Sequence, residues 1–247
     1  KAERIRQERE ERDQADFQRI LDAYQFRGYD KGVRGIHMRL LRIGIQMNPK
    51  KIRRLMRKYK LFCPIRKANP YRRLQRAIRT NNLTDITYIP LGGAHCFLST
   101  ILDACTKQVL SYTLSQSLAV DFVLETVEKL VKTHGVSLNS STILHSDQGC
   151  HYTCVEFIQL LKDSALRQSM SRKGNCWDNA PQESFFGHMK DELSRDISGW
   201  HSFADAQHSI DDWIDYYNND RYQWDLAKLS PNEYYVYLTT GAYPRFP

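Results

Sequence analysis

Residues 83–114 have the sequence LTDITYIPLGGAHCFLSTILDACTKQVLSYTL, in which β-forming apolar residues return in three successive runs. Their composition and alternation predict three β-strands, at residues 83–89, 96–104 and 109–114, separated by turns. Consecutive strands with short connections pair as an antiparallel meander. We therefore expect the fold to be built on a sheet that begins with residues 83–89.

After this meander the spacing of the apolar residues changes. Residues 119–133 and 155–161 place apolar side chains on one face of a helix, whereas residues 142–145 form a short apolar run typical of a buried strand. A meander followed by helix, strand and helix indicates an α/β protein with a mixed sheet.

The segment before the first predicted strand has helical patterns only. Residues 2–25 have a charged first half, expected to be an exposed lead-in or linker, and an amphipathic second half; residues 31–43 repeat the helical period. Asn48 and Pro49 match the N-cap and the first position of another helix. Two helices joined by a tight turn, the second rich in cations, are typical of a helix–turn–helix unit.

Basic residues are concentrated in and after this unit, because residues 31–80 contain 17 Lys and Arg and no Asp or Glu. Like charges on one helix repel each other, so such a run indicates a polyanionic partner, most simply nucleic acid. An acidic protein, a membrane surface and a merely basic linker remain alternatives. The candidate nucleic-acid contacts are Lys50, Arg53, Arg54, Arg57, Lys58, Arg72 and Arg73.

Three carboxylates lie in or next to predicted secondary-structure elements, at positions that favourable packing does not explain. Asp85 lies within the first predicted strand, Asp147 ends the strand at 142–145, and Glu183 lies early in a predicted helix. Asn179 and Gln182 have the spacing of a capping box at the start of that helix. Burying an unpaired carboxylate at the end of a buried strand is costly, so we expect Asp147 to face a cleft. Three carboxylates from separate elements can hold two divalent cations about 3.5–4 Å apart.

The residues around these carboxylates are similar to those of a known family. They resemble the DDE transposases of bacterial insertion sequences, of the IS-three family, which are relatives of retroviral integrases. The 35 residues between Asp147 and Glu183 match the D-35-E signature of that family, and Lys190 has the place of its basic residue seven positions after the glutamate. The matching segments are TDITY at 84–88, HSDQG at 145–149, DNA at 178–180 and ESFF at 183–186.

The resemblance implies an α/β fold: an RNase H-like mixed five-stranded sheet flanked by helices, preceded by an all-α helix–turn–helix DNA-binding region. The implied domains are a charged helix or linker at 1–25, a helix–turn–helix DNA-binding domain at 26–62, a basic linker at 63–82, an RNase H-like catalytic core at 83–200 and a C-terminal helical extension of the core at 201–247.

The resemblance also implies an enzyme, a DNA transposase that acts as a metal-dependent polynucleotidyl transferase. Asp85, Asp147 and Glu183 would bind two Mg²⁺ ions, with Mn²⁺ as a substitute, and catalyse cleavage and strand transfer at the ends of an insertion sequence. The route implied for the family is copy-out, paste-in, in which one end joins the other before a circular intermediate integrates.

The implied partners are double-stranded DNA, at the element ends and at the target, and further copies of the chain, because joining requires two ends to be held together. Lys190, Arg172 and Lys173 would contact DNA near the active site. Family members usually begin with another helix–turn–helix and a leucine zipper, supplied by an upstream reading frame, and no segment of this sequence matches those parts.

The composition is that of an ordinary globular protein, with 41% hydrophobic and 26% charged residues, which excludes collagen-like and wholly disordered chains. Apolar runs are shorter than the roughly 20 residues of a membrane span, so no membrane partner is expected. We expect a bacterial cytoplasmic protein, associated with the nucleoid when bound to DNA, whose cysteines are reduced.

Three other hypotheses stay open from the sequence. Another RNase H-like nuclease would share the three carboxylates, and a non-catalytic DNA-binding regulator derived from a transposase would need only residues 15–80. The third is a zinc-binding structural module through Cys150, His151 and Cys154, for which a single CxxxC pattern is a weak signal.

Overall fold

The computed structural model describes residues 2–29, 31–63, 82–135, 138, 141–171 and 180–244. They belong to two compact units, one formed by the described residues of Lys1–Arg66 and Asn219–Pro247, the other by those of Lys67–Asn218. We refer to them as the helical unit and the core unit. None of the described helices has both the length and the apolar character that a membrane span requires.

The core unit contains a five-stranded sheet with the strand order β3-β2-β1-β4-β5. Pairing is antiparallel between β1 and β2 and between β2 and β3, and parallel between β4 and each of β1 and β5. The predicted meander and mixed sheet are thereby confirmed. The strands are β1 (Asn82–Leu91), β2 (Ala94–Asp103), β3 (Val109–Ser115), β4 (Ile143–Ser146) and β5 (Arg167–Met170).

The described residues also form ten α-helices, of which three precede β1 and seven follow β3. They are α1 (Ala2–Gln25), α2 (Val33–Arg42), α3 (Pro49–Lys58), α4 (Asp121–His134), α5 (Cys150–Thr153), α6 (Val155–Asp163), α7 (Ala180–Glu192), α8 (Ser194–Ile197), α9 (Phe203–Asn219) and α10 (Pro231–Thr240).

A tight hairpin joins β1 to β2 and fixes their register. Gly92 and Gly93 have φ angles of 55° and 83°, and two successive positive φ angles match the type I′ turn that the twist of paired strands favours. Glycine adopts this conformation without the steric cost that a Cβ brings. The hairpin therefore places Asp85 directly opposite Thr100 on β2.

An apolar layer holds α4 and α6 against the sheet of the core unit. Phe122 and Val127 of α4 and Phe157 of α6 are buried in one cluster with Ile101 and Leu144 of the sheet. Burial of each such side chain contributes about 1.5–3 kcal/mol. This layer fixes the sheet strands that carry Asp85 and Asp147.

An aromatic cluster fixes α7 against α9. The ring of Phe185 lies 5.5 Å from that of Trp213 and 4.9 Å from that of Tyr217, both in edge-to-face geometry. Trp213 and Tyr217 stack on each other at 5.2 Å. These contacts lie beyond the first turn of α7, in which Glu183 is found.

The helical unit is built from α1, α2 and α3 around a buried core that includes Ile20, Ile36, Leu40 and Ile52. The side chain of Asn48 accepts a hydrogen bond from the Lys50 N–H at 2.8 Å, so the predicted N-cap of α3 is confirmed. The helical region predicted before the sheet is present.

The C-terminal residues from Asn219 onward belong to the helical unit. Arg42 of α2 forms an ion pair with Glu233 and lies 4.4 Å from the ring centroid of Tyr222. Arg27 bonds Asp220 at 2.9 Å. Of the predicted extension of the core over residues 201–247, residues 201–218 belong to the core unit, whereas the residues from 219 onward group with α2 through these cation contacts.

Candidate active site

The parallel pairing of β1 with β4 brings two of the predicted carboxylates together. Leu83 lies opposite His145 in this pair, and continuing the register by two residues places Asp147 beside Asp85. Neighbouring strands are about 4.8 Å apart. The sheet therefore positions both carboxylates at the same edge, where β4 ends.

Asp147 directly follows β4 and is oriented by a close backbone contact. Its Oδ1 accepts the Gly149 N–H at 2.8 Å. A Cβ at residue 149 would lie only 2.9 Å from the same oxygen, which is closer than real side chains come. This conformation of the Asp147 carboxylate therefore requires glycine at position 149. The requirement explains the glycine of the HSDQG segment.

Glu183 lies in the first turn of α7 with its side chain exposed. Gly187 is one turn further along, and an added Cβ there would meet no atom within 4 Å, so the space beside Glu183 is open. Lys190 follows on the same side of the helix after two turns. Partial burial lowers the pKa of the Lys190 ammonium group.

The electrostatics link the three carboxylates. Burial, together with the negative charges of Asp147 and Glu183, raises the pKa of Asp85 to about 7, against the lowering effect of a hydrogen bond from the Ile86 N–H. A carboxylate raises the pKa of another only when the two lie near each other. The structure therefore places the three predicted carboxylates in one electrostatic environment.

Sequence reasoning did not single out Tyr152, which is buried in α5 next to this environment. Burial raises the pKa of its phenol well above the usual range, and the charges of Asp85 and Asp147 act in the same direction. The available signal was its position five residues after Asp147, in the segment that turns from β4 into a helix. Tyr152 is thus a buried member of the apolar cluster that lies close enough to the two aspartates to be affected by their charges.

The donor set suits a hard divalent cation, because carboxylate oxygens are the ligands that Mg²⁺ prefers and a cation relieves their mutual repulsion. Within the described residues, no three His, Cys, Asp or Glu side chains already form a group that holds a metal ion. The carboxylates thus fit the ion by chemistry and charge, while their side chains are not gathered around one point.

Two of the three candidate zinc ligands, His151 and Cys154, form hydrogen bonds with backbone carbonyl groups. A ring nitrogen of His151, Nε2, lies 2.7 Å from the carbonyl oxygen of Leu118, and the Cys154 thiol donates to the His151 carbonyl at 3.3 Å. These atoms contact the backbone, and the described residues here form no metal-binding group. The structure gives no support to a zinc module.

In the helical unit, the basic residues of α3 divide between two faces. One face points to α1: Arg54 forms a two-bond ion pair with Asp13, at 2.6 and 2.9 Å, and Lys58 bonds Asp13 at 2.8 Å. Lys58 also bonds Glu10 at 2.6 Å. Arg54 and Lys58, both candidate DNA contacts, are therefore already paired with carboxylates.

The other face of α3 carries Lys50, Arg53 and Arg57, which are exposed. Within the part of the chain that the structure describes, no carboxylate forms an ion pair with these three side chains. They form the unpaired basic face of α3. The remaining candidate DNA contacts, Arg72, Arg73, Arg172 and Lys173, lie outside the described residues.

Comparison with known proteins gives consistent results along the chain. A model of the integrase core domain matches residues 81–176, a second integrase core model matches residues 164–231, and an HTH-like domain matches residues 11–69. The chain is 33% identical over 233 residues to the putative transposase InsK for insertion sequence element IS150 of Escherichia coli K12, covering 87% of this chain and 81% of that protein. The chain belongs to the bacterial insertion-sequence transposases of the IS-three type.

A second relative matches this chain over most of the relative's length. An uncharacterized transposase-like protein of Haemophilus influenzae is 33% identical to this transposase over 211 residues, covering 78% of this chain and 95% of that protein. Asp85 and Asp147 fall within the match to the first integrase core model, and Glu183 falls within the match to the second.

Solved structures share the fold of the transposase at low sequence identity. A chain of the simian T-cell lymphotropic virus intasome in complex with PP2A regulatory subunit B56 gamma has a TM-score of 0.53 at 14% identity, covering 81% of this chain and 70% of that chain. The catalytic core domain of BIV integrase has a TM-score of 0.50 at 15% identity, and the match covers 66% of this chain and 97% of that domain's chain. The predicted RNase H-like fold class is confirmed.

Proposed function

We propose that this transposase cleaves and joins DNA at the ends of its insertion sequence by metal-dependent transesterification at Asp85, Asp147 and Glu183. The observation that carries the proposal is the half-buried Asp85, whose pKa is raised to about 7 while two further carboxylates act on it. Perturbed carboxylates of this kind are concentrated at catalytic sites.

The three carboxylates would hold two Mg²⁺ ions, for which Mn²⁺ substitutes. When bound, such ions activate an attacking hydroxyl and stabilise the leaving oxygen of a phosphodiester. Asp147 enters this site in a fixed orientation, since Gly149 holds its Oδ1. Asp85 would be ionised together with its neighbours, and Glu183 has open space beside Gly187 in which to move toward them.

The chain supplies positive charge for the DNA backbone at two places. Lys190 follows Glu183 on the same side of α7, and its lowered pKa reflects an ammonium group with incomplete hydration that a phosphate would compensate. On α3, the exposed basic face of Lys50, Arg53 and Arg57 would contact double-stranded DNA. Arg54 and Lys58 would act mainly by holding α3 to α1.

We further propose the copy-out, paste-in order for the reaction. Water would expose a 3′-hydroxyl at one end of the element, and that hydroxyl would attack a phosphodiester at the other end before the joined circle integrates into target DNA. Two ends must be held at once, so a dimer or a larger assembly of this chain would act.

The proposal is tested by a strand-transfer assay on labelled DNA from the ends of the element, with Mg²⁺ or with EDTA. Glu183→Gln is compared with Glu156→Gln, which makes the same chemical change at an exposed position of α6. We expect Mg²⁺-dependent joining by the wild type and by Glu156→Gln, and loss of joining in Glu183→Gln with DNA binding retained.

Each other outcome contradicts the proposal in a defined way. Full joining by Glu183→Gln, or joining in EDTA, would overturn the assignment of the site. Cleavage without joining by the wild type would indicate an RNase H-like nuclease, and binding without cleavage would indicate a non-catalytic DNA-binding regulator.

A further inference from the structure

The inner face of α7 contains one polar residue at an apolar position. Phe185, Phe186 and Met189 are buried, and Gln182 completes the i, i+3, i+4, i+7 stripe with 0% of its surface exposed. A helix normally fills such a stripe with apolar residues. Because burial of an amide is costly unless it is hydrogen-bonded, Gln182 needs a partner in the interior.

That partner connects α7 to the strand pair that carries Asp85. The Gln182 amide Nε2 donates to the hydroxyl of Thr100, which is also 0% exposed. Thr100 lies directly opposite Asp85 in the antiparallel pairing of β2 with β1. Residues opposite each other point to the same face of the sheet, with Cβ atoms about 5 Å apart.

Gln182 is also the residue immediately before Glu183. One buried hydrogen bond therefore joins Gln182, the neighbour of Glu183, to Thr100, which lies opposite Asp85. We propose that Gln182 and Thr100 are positioning residues that set the separation of Glu183 from Asp85 and thereby the metal affinity of the site. This inference rests on the proposed function of the three carboxylates.

The other contacts that hold α7 do not set this separation as sharply. Phe185 packs against Trp213 and Tyr217, one turn along the helix from Gln182. Apolar packing is non-directional, whereas a hydrogen bond fixes both distance and angle. When Asp85 and Glu183 are both ionised, their repulsion favours a larger separation of α7 from β1, and the bond from Gln182 to Thr100 opposes that separation.

Neither positioning residue is a ligand candidate, because both side chains are fully buried and bonded to each other. Loss of a group that hydrogen-bonds directly to a metal ligand typically lowers metal affinity or activity by about 10- to 100-fold. Gln182 and Thr100 act through the backbone beside the ligands, so we expect an effect at the lower end of that range. A purely structural role would instead lower the melting temperature and leave the metal dependence of the remaining folded protein unchanged.

The test uses the full chain and two measurements: calorimetric titration with Mn²⁺, and the Mg²⁺ concentration that gives half-maximal strand transfer. Thr100→Val replaces the hydroxyl by a methyl group, Thr100→Ser keeps it, and Gln182→Met removes the amide at similar volume. The control is Thr126→Val, since Thr126 is an equally buried threonine whose hydroxyl donates to the Phe122 carbonyl within α4.

We expect Thr100→Val and Gln182→Met each to weaken Mn²⁺ binding and raise the half-maximal Mg²⁺ concentration by about 10-fold. Thr100→Ser and Thr126→Val should keep the wild-type values. The double variant should be no weaker than either single variant, because both changes break the same bond.

Wild-type metal affinity in Gln182→Met, or in Thr100→Val where it folds, would overturn the positioning role. Glu183→Gln in the same titration separates this failure from failure of the proposed function. If Glu183→Gln loses metal binding while Gln182→Met keeps it, only the positioning role is wrong. If Glu183→Gln also binds and joins normally, the proposed function is wrong as well.

Discussion

Asp13 in the helical unit and Asp85 in the core unit are carboxylates with opposite surroundings. The Asp13 side chain is only 7% exposed, and hydrogen bonds from Arg54 and then Lys58 hold its pKa below the usual range. Asp85 has no such cation among the causes that shift it; burial and two further carboxylates raise its pKa to about 7.

The two sites use charge for different purposes. Asp13 is stabilised by the chain itself, so its ion pairs support the packing of α1 on α3. Asp85 is placed where its ionised form is disfavoured, and such an arrangement persists in a fold mainly where a ligand or a reaction uses it. The comparison separates a carboxylate that is ionised and ion-paired in the folded chain from one whose ionised form the fold disfavours.

The largest expected difference between the two sites is in catalysis. Asp147→Asn should reduce Mg²⁺-dependent strand transfer by at least about 10²-fold, because a metal ion contributes several kcal/mol of transition-state stabilisation. Asp13→Asn removes a carboxylate that faces cations and should leave most of the activity. The measurement is the rate of joining of labelled element ends at saturating Mg²⁺; comparable losses in both variants would contradict the distinction.

A second difference is expected between the two basic faces of α3. Arg53→Ala combined with Arg57→Ala should weaken DNA binding and make the slope of log affinity against log salt smaller by about two phosphate contacts. Arg54→Ala combined with Lys58→Ala serves as the matched pair, and should change that slope less while lowering the melting temperature. An unchanged slope in the first pair would show that this face does not contact DNA.

Much of this organisation was predictable because it depends on local patterns. Alternation in residues 83–114 predicted β1 to β3, and Asn48 with Pro49 predicted the start of α3. The carboxylates could be proposed from their neighbouring residues alone, since glycine at 149 and the strand before Asp147 are sequence features.

Other features depend on contacts between distant parts of the chain, which local patterns do not contain. Three of the four residues of β5 are polar and none of the four is buried, so the strand gives no alternation of apolar and polar residues. Glu10 and Asp13 were expected in an exposed lead-in, but they pair with α3 more than 40 residues away. Gln182 had the spacing of a capping box, yet its amide donates to Thr100 because it lies on the buried face of α7.

A smaller effect should distinguish the two aspartates in stability. In EDTA at pH 8, Asp85→Asn should stabilise the core unit by about 1–3 kcal/mol, because it removes a carboxylate whose folded-state pKa is raised. The folded-state pKa of about 7 exceeds the unfolded value of about 3.9, so the destabilisation is present above pH 7 and disappears as the pH falls toward 4.

Urea denaturation across that pH range measures the effect, with Glu156→Gln as the exposed control. Added Mg²⁺ should stabilise the wild type and not Asp85→Asn. If Asp85→Asn destabilises the metal-free protein at pH 8, the favourable contacts of the ionised Asp85 carboxylate outweigh the cost of its burial, and the prediction is wrong.

The change of opposite sign is expected at Asp13, where Asp13→Asn should destabilise the helical unit by about 1–2 kcal/mol at pH 7 through loss of charge-assisted hydrogen bonds. The folded-state pKa of Asp13 is lowered, so the stabilisation is present above its unfolded pKa of about 3.9 and is lost as the pH falls below it. The free energies of unfolding of the wild type and the variant should therefore converge in acid.

Glu11→Gln, on the same helix and exposed, controls for net charge. A difference that persists unchanged below pH 2 would show that Asp13 stabilises α1 by packing, because protonation would then leave its contribution intact.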